Sequence, residues 1–424
     1  MADQVTSATR PNPRNLFAAK LAATFATLPW WLQVLLAWAA TRAVSTLAFL
    51  WAATKQGPSY WYNWSNPNYL DFVNIWDVEW YFRIFKFGLG QLPGYSPHLP
   101  LNALGGVEQN AWAFMPGFPM LVRGVDYLFG NQLEWHNLAP WVSLALSFVL
   151  AIIVYQVFRL KLNHRTSIWA VTLLGFYCAS PVLQTGYAET LGLVFLSGGL
   201  YFLIQHRYLA SLPFLMGLSI TRPGMVAFAL SLAGMWLVRF IKSKRGTDEF
   251  PTPERFKLAL LTAASTLLGF AWPLFAWWYT GRADAYTATE LAWRTADPNA
   301  EIAPFMPWVQ MAVHLLGPIF GVLGLTVFVG GMVWLLTLPS MKHLGNELRL
   351  WVASYLLYLL LVFNPQSSTF RILLPAFPLL GVLALKTVGW NRWIKALVLV
   401  VLALLQCVWL LLCWVHMPPD ITPP

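Results

Sequence analysis

The segment Asn74-Ile-Trp-Asp-Val-Glu-Trp-Tyr-Phe-Arg-Ile-Phe-Lys-Phe-Gly88 sets two carboxylates, Asp77 and Glu79, among tryptophans, a tyrosine and phenylalanines. Carboxylates in such a setting can move protons or help to hold a cation, although Asp77-x-Glu79 alone is a weak metal motif. Helical spacing puts Trp76, Trp80, Arg83 and Phe87 on one face, Asp77, Tyr81 and Ile84 on the next, and Glu79 elsewhere. A helix of this kind lying on a bilayer buries its rings and turns one acid towards the protein. The plain alternative is an interfacial aromatic belt with incidental acids. Three further charged residues interrupt otherwise apolar stretches: Glu189 in Gly186-Tyr-Ala-Glu189, Arg222 in Thr221-Arg-Pro223, and Arg371 at the start of Arg371-Ile-Leu-Leu-Pro-Ala-Phe-Pro378. Ionisable groups at membrane depth cost roughly 2.5–3.5 kcal/mol each, so they tend to face a cavity or one another. Two guanidinium groups near an interface suit a phosphate, whose oxygens match their forked donors. An internal Glu–Arg pair or snorkelling to the headgroups would account for any one of the three equally well. Arg42 either joins this set or pairs with Asp77 or Glu189.

The elements that must position these residues are transmembrane helices. The chain has 424 residues, 58% of them hydrophobic and 10% charged, with a mean hydropathy of +0.56. That composition excludes a string of soluble domains. Cys178, Cys407 and Cys413 lie inside apolar runs, which leaves neither a disulfide framework nor a cysteine zinc site. The net charge of +10 is scattered between apolar segments and reads as a topology signal, not as a nucleic-acid surface. Runs of about 20 apolar residues fit helices crossing a hydrocarbon core of roughly 30 Å. Eleven spans are predicted, at 31–54, 138–160, 167–185, 187–205, 207–221, 223–242, 257–280, 308–338, 348–364, 369–387 and 394–416. With this assignment 18 Lys and Arg residues fall on the N-terminal side and 8 opposite, which places the N-terminus in the cytoplasm. Twelve of the seventeen acids fall on the external side, so the chemistry is expected there. Residues 1–30 read as a cytoplasmic segment without a cleavable signal, 31–416 as one transmembrane domain, and 417–424 as an external tail. Two external loops, 55–137 and 281–307, are long enough to be more than turns. Within the first, residues 111–129 are apolar but broken by Pro116, Gly117 and Pro119, which predicts an interfacial or re-entrant helix. The histidines show no metal-ligand spacing, and there is no phosphate-binding loop, nucleophile elbow or dinucleotide fingerprint. No internal repeat of the kind common in secondary transporters is evident.

Taken in order, Trp76-Asp77-x-x-Trp80-Tyr81 with Gly88, Phe114-Met-Pro-Gly-Phe-Pro-Met-Leu-Val-Arg123, Gly186-Tyr-Ala-Glu189, Thr221-Arg-Pro223 and Arg371-Ile-Leu-Leu-Pro-Ala-Phe-Pro378 span residues 76–378. This ordered set resembles the PIG-V-like mannosyltransferases, which include the enzyme adding the second mannose of GPI anchors and its bacterial relatives. The resemblance implies an all-α polytopic fold of the C-type glycosyltransferases, with a polyprenyl-phosphate-mannose donor and an acidic residue early in the first external loop. It makes Asp77 the candidate general base, with Arg222 and Arg371 on the donor phosphate and Trp76, Trp80, Tyr81 and Glu189 positioning sugar or acceptor. Glu79 and Glu189 are the alternative acids.

The implied reaction transfers a mannosyl group, with inversion, to a glycolipid or glycan acceptor on the external face, without metal, nucleotide or other cofactor. The polyprenyl tail would remain in the bilayer while its headgroup enters an external cavity. A C-type transferase for arabinose, glucose or galactose on the same kind of carrier stays open, as does a non-catalytic lipid-carrier flippase. A bacterial plasma membrane with the site facing outwards is the expected location.

Overall fold

The structure is a computed structural model that describes residues 24–86, 95–299, 301–417 and 424. It is built from helices; among the described residues extended pairing is confined to an isolated bridge between Leu101 and Val107. Among the described residues, six helices are long and apolar enough to cross a membrane: α1 (Trp30–Ala53), α4 (Trp135–Arg159), α8 (Met225–Lys244), α9 (Thr252–Thr280), α12 (Pro318–Thr337), and α15 (Arg392–Trp409), which runs on through one π-helical turn to Trp414. Such helices satisfy every backbone group within one segment, as hydrocarbon demands. The chain is therefore a multi-pass helical membrane protein. Shorter apolar helices fill in between them: α5 (His164–Gly175), α6 (Glu189–Ile204), α7 (Tyr208–Ser219), α11 (Met306–Leu316), α13 (Asn346–Val362) and α14 (Pro378–Thr387). Three more lie in the long loops, namely α2 (Val78–Lys86), α3 (Gly117–Leu128) and α10 (Ala285–Ala292). Gly88 and Phe87 of the first motif and residues 1–23 lie outside the described residues.

Three of the expected spans are not continuous helices. The 308–338 run breaks at Gly317, whose φ of 77° and ψ of 169° end α11 before Pro318 starts α12. The two helices fold back on each other, so closely that a Cβ on Gly321 would lie 2.5 Å from the Ala312 carbonyl oxygen. The 167–185 run ends its α-helix at Gly175 and resumes as a 3-10 turn over Ser180–Gln184. The 369–387 run is a short turn of helix, Thr369–Ile372, then a 3-10 turn, Leu374–Ala376, then α14. Pro375 and Pro378 lack the N–H that a continuous helix needs there. Each break lies inside a run that is apolar over most of its length, so the length and composition of the run do not reveal it.

The broken end of α5 explains Arg42. The last turn of a helix leaves carbonyls without intrahelical partners. Arg42 of α1 reaches them, donating from Nη1 to the Ser180 carbonyl (2.8 Å) and from Nη2 to the Gly175 carbonyl (2.8 Å) and the Ser180 hydroxyl. Gln406 of α15 donates to the same Gly175 carbonyl (3.1 Å), and Ser45 donates to Gln406 (3.0 Å). The expectation that Arg42 pairs with Asp77 or Glu189, or joins a phosphate-binding set, is thus corrected. It is a backbone clamp that also stacks over Trp38.

Candidate active site

Asp77 stands at the entrance to α2, directly after Trp76, which takes up a left-handed φ of 64°. A bulky residue rarely adopts that conformation unless its surroundings hold it there. The restraints here are explicit. The Trp76 indole N–H donates to the Trp414 carbonyl (2.7 Å), and its ring packs on Trp61 and His416. The backbone N–H of Asp77 donates to the Tyr187 hydroxyl (3.2 Å). Gly186 allows the close approach, since a Cβ there would lie 3.1 Å from Val78 Cγ1. The effect of the left-handed residue is to turn the chain so that Asp77 points inwards as the helix begins, with the positive end of α2 behind it.

Glu189 opens α6, Arg222 sits in the turn between α7 and α8, and Arg371 lies in the short helical turn ahead of α14. The four charges meet. Arg371 Nη2 lies 2.9 Å from Asp77 Oδ2 and its Nη1 lies 2.7 Å from Glu189 Oε1. Arg222 Nη1 approaches the same Glu189 oxygen at 3.2 Å. The third Arg371 nitrogen, Nε, donates to the Pro424 carbonyl (2.8 Å), and its guanidinium covers the Tyr187 ring at 5.0 Å. Two glycines make this possible. A Cβ on Gly192 would come within 2.8 Å of Arg222 Cγ, and one on Gly117 would come within 2.7 Å of the Ile220 carbonyl oxygen, which the Gly117 N–H itself engages at 2.7 Å. The Pro-rich segment at 114–123 is in this way fastened to the Thr221-Arg-Pro turn.

What the cluster leaves unused is as informative as what it pairs. Asp77 Oδ1 and the outer donors of Arg222 have no protein partner among the described residues, and Glu189 Oε2 is buried without one. All three residues line a cavity of about 340 Å³, within the range of roughly 300–1,000 Å³ typical of small-molecule sites. Burial pushes the Asp77 carboxyl above the ordinary carboxylate range, a push only partly offset by Arg371. Burial likewise raises the Tyr81 phenol, which stays protonated as it lines the same cavity. No group of three or more His, Cys, Asp or Glu side chains arranged to hold a metal occurs among the described residues.

Not every sequence candidate reaches the cavity. Trp76 faces Trp61 and His416, away from it. Trp80 stacks on Phe114 (5.8 Å between centroids) beneath Arg83, and lines a separate groove with Glu79. Glu79 pairs with Arg83 on the surface, so it is not an alternative acid for this cavity. Sequence reasoning had instead passed over Tyr286, Glu290, Trp293 and Arg294, which line the cavity from α10 and its end, and Tyr355 and Tyr358, which line it from α13. The spacing Tyr286, Glu290, Trp293 and Arg294 is one helical face, a signal that the otherwise polar loop conceals.

The fold and site together define a polytopic helical membrane protein with an ion-paired, partly unsaturated cavity beneath its long loops. No protein-family model matches the sequence, and no curated protein matches it. Among solved structures, the chain is similar to the oligosaccharyltransferase of Archaeoglobus fulgidus, a structure in which an acceptor peptide containing the NVT sequon is tethered through a disulfide bond. The similarity has a TM-score of 0.44 at 12% identity, covering 90% of this chain and 54% of that one, so the chain spans about half the length of that protein.

Proposed function

We propose that the protein is a membrane glycosyltransferase of the C type that moves a mannosyl group from a polyprenyl-phosphate donor to a glycolipid or glycan hydroxyl, with residues 31–416 acting as one transferase domain on the external face of a bacterial plasma membrane. The observation that carries this reading is the pairing of a free Asp77 oxygen with free Arg222 donors in one cavity. Proton removal and phosphate departure need opposite charges close together, each unspent.

In the proposed reaction the acceptor hydroxyl gives its proton to Asp77 Oδ1 as its oxygen bonds to the anomeric carbon. The bond from that carbon to the phosphate oxygen breaks, its electron pair leaves with the polyprenyl phosphate, and the displacement inverts the anomeric centre. Arg222 takes the developing phosphate charge. Arg371, already spanning Asp77 and Glu189, supplies positive charge and fixes both acids in place. A raised Asp77 pKa suits a base that must hold its proton once it has taken it. Glu189 anchors both arginines through one oxygen.

The test is transfer of radiolabelled mannose from synthetic polyprenyl-phosphate-mannose into membrane glycans, comparing wild type with Asp77→Asn at equal expression. Transfer in the wild type and its loss in the variant support the reading. Transfer that survives in the variant removes Asp77 as base, and its absence from the wild type removes mannose as the transferred sugar.

A further inference from the structure

The direction of Asp77 is set in part by a residue outside the cavity. Tyr187 is fully buried and is not among the cavity-lining residues, so a ligand held there does not meet it. It nevertheless meets both members of the Asp77–Arg371 pair. Its hydroxyl oxygen accepts from the Asp77 backbone N–H at 3.2 Å, and its ring lies under the Arg371 guanidinium at 5.0 Å. A cation over an aromatic face is held there by the ring's own field. Because Arg371 Nη2 reaches Asp77 Oδ2 at 2.9 Å, the three residues close a triangle in which each is held by the other two.

The triangle acts where the chain most needs support. Trp76 holds a left-handed φ of 64°, and turning the peptide between Trp76 and Asp77 would swing the carboxyl away. The Asp77 carbonyl is engaged as α2 begins, accepting from the N–H groups of Trp80 (3.1 Å) and Tyr81 (3.3 Å). Its N–H lies at the helix start, where no intrahelical acceptor exists, and Tyr187 supplies one. Tyr187 is seated from behind in turn. Its ring packs on Trp414 (5.4 Å between centroids), whose indole donates to the Phe72 carbonyl at 2.8 Å and whose carbonyl accepts from Trp76. Trp414 closes the π-helical turn that ends the last span, and such turns are frequent at functional sites.

We propose that Tyr187 is a positioning residue for the transfer reaction, fixing the Asp77 backbone with its hydroxyl and the Arg371 guanidinium with its ring, so that Asp77 Oδ1 is the oxygen presented to the acceptor. This inference rests on the transferase reading above. A base must lie within hydrogen-bond reach of the proton it takes, and a displacement of about 1 Å can cost about a hundredfold in rate. Tyr187 therefore governs kcat and not donor affinity, because Arg222, which takes the phosphate, is held by Glu189 instead.

The test is a double-mutant cycle. Transfer from synthetic polyprenyl-phosphate-mannose into membrane glycans is followed against donor concentration, at equal amounts of folded protein, for wild type, Tyr187→Phe, Asp77→Asn and the pair. Phenylalanine keeps a ring under Arg371 and removes the acceptor of the Asp77 N–H. Tyr187→Phe is expected to lower kcat by about ten- to a hundredfold while KM for the donor changes by less than about twofold. In the Asp77→Asn background the same change should alter the residual rate by less than about twofold, because a residue that acts through Asp77 has nothing left to position. Gly186→Ala, whose methyl would meet Val78 Cγ1 at 3.1 Å, spreads the same contact with the hydroxyl intact and should lower kcat in the same manner, which decides the matter if Tyr187→Phe does not fold. An equal loss from Tyr187→Phe in both backgrounds overturns the inference, as does a kcat that stays within twofold of wild type in Tyr187→Phe or, where that variant does not fold, in Gly186→Ala; each leaves the transferase reading standing. A wild type that transfers no mannose overturns that reading, and this role with it.

Discussion

Helix α6 carries an ionic cluster at each end, and the two clusters are used in opposite ways. Beyond its C-terminal end, His206 lies 3.2 Å from Glu254 and 3.8 Å from Glu347, Lys161 lies 3.5 Å from the same Glu347, and Arg239 joins Glu254 to Asp248. Tyr208 donates to Glu254 at 2.8 Å. Each acid there meets a cation, and the cluster opens to water at His206, whose side chain is 43% exposed. At the Asp77 end the two acids and Arg371 are buried, each acid is paired through one oxygen, and the residues line a cavity. The first cluster pins helix ends together; the second holds charge in readiness. Ion pairs alone therefore do not mark a site. A cavity that the charged groups line does.

The contrast can be broken most directly at Asp77. Asp77→Asn should lower transfer by about 10²–10⁴-fold while thermal unfolding shifts little, because shape and burial are kept. A large drop in melting temperature with modest loss of transfer would put Asp77 among the structural charges instead. Arg371→Gln comes next and should cost stability as well as activity. It leaves two buried acids short of a cation, a loss of about 3–5 kcal/mol for a broken buried pair, readable by denaturation in detergent. Acidification should then reduce kcat/KM. Burial raises the Asp77 carboxyl, so the base is lost by protonation at a pH above the ordinary carboxylate value of about 4, with activity present above that point and falling below it. If the acid limb sits at or below pH 4, Asp77 is not the titrating base. Gly192→Ala sharpens the comparison more gently. Its methyl meets Arg222 Cγ at 2.8 Å, and displacing that side chain should lower kcat/KM for the lipid donor by about tenfold, because Arg222 takes charge that develops as the phosphate leaves. The smallest effect belongs to the other cluster. Glu254→Gln should leave transfer unchanged while it lowers the melting temperature, since Glu254 holds the buried Arg239, and a transfer defect there would erase the distinction between the two ends.

Much of this was legible in the sequence because membrane helices punish exceptions. Glu189, Arg222 and Arg371 stood out as charges interrupting apolar runs, and they meet in the folded chain. Helices α1, α6, α8 and α13 begin and end within a few residues of the runs that predicted them. The breaks at Gly175 and Gly317 were illegible for the converse reason: backbone can turn within the bilayer at little cost in hydropathy when a side chain or a glycine contact satisfies it. Glu290 was hidden because an acid in a polar loop is unremarkable until α10 is seen to face a cavity. Arg42 was conspicuous and misread. Its charge suggested an acidic partner, whereas its partners are carbonyls exposed by a helix end that hydropathy does not reveal.

That clamp has a consequence for how the molecule is made. Arg42 belongs to the first span, but Gly175, Ser180 and Gln406, which complete its surroundings, are synthesised far later. When α1 first leaves the translocon its arginine has none of these companions, and an arginine at the centre of a helix costs roughly 2.5–3.5 kcal/mol to insert. The first segment therefore enters the bilayer as a provisional one, easily held back at the protein-conducting channel, and becomes a settled part of the membrane when α5 arrives to take its charge.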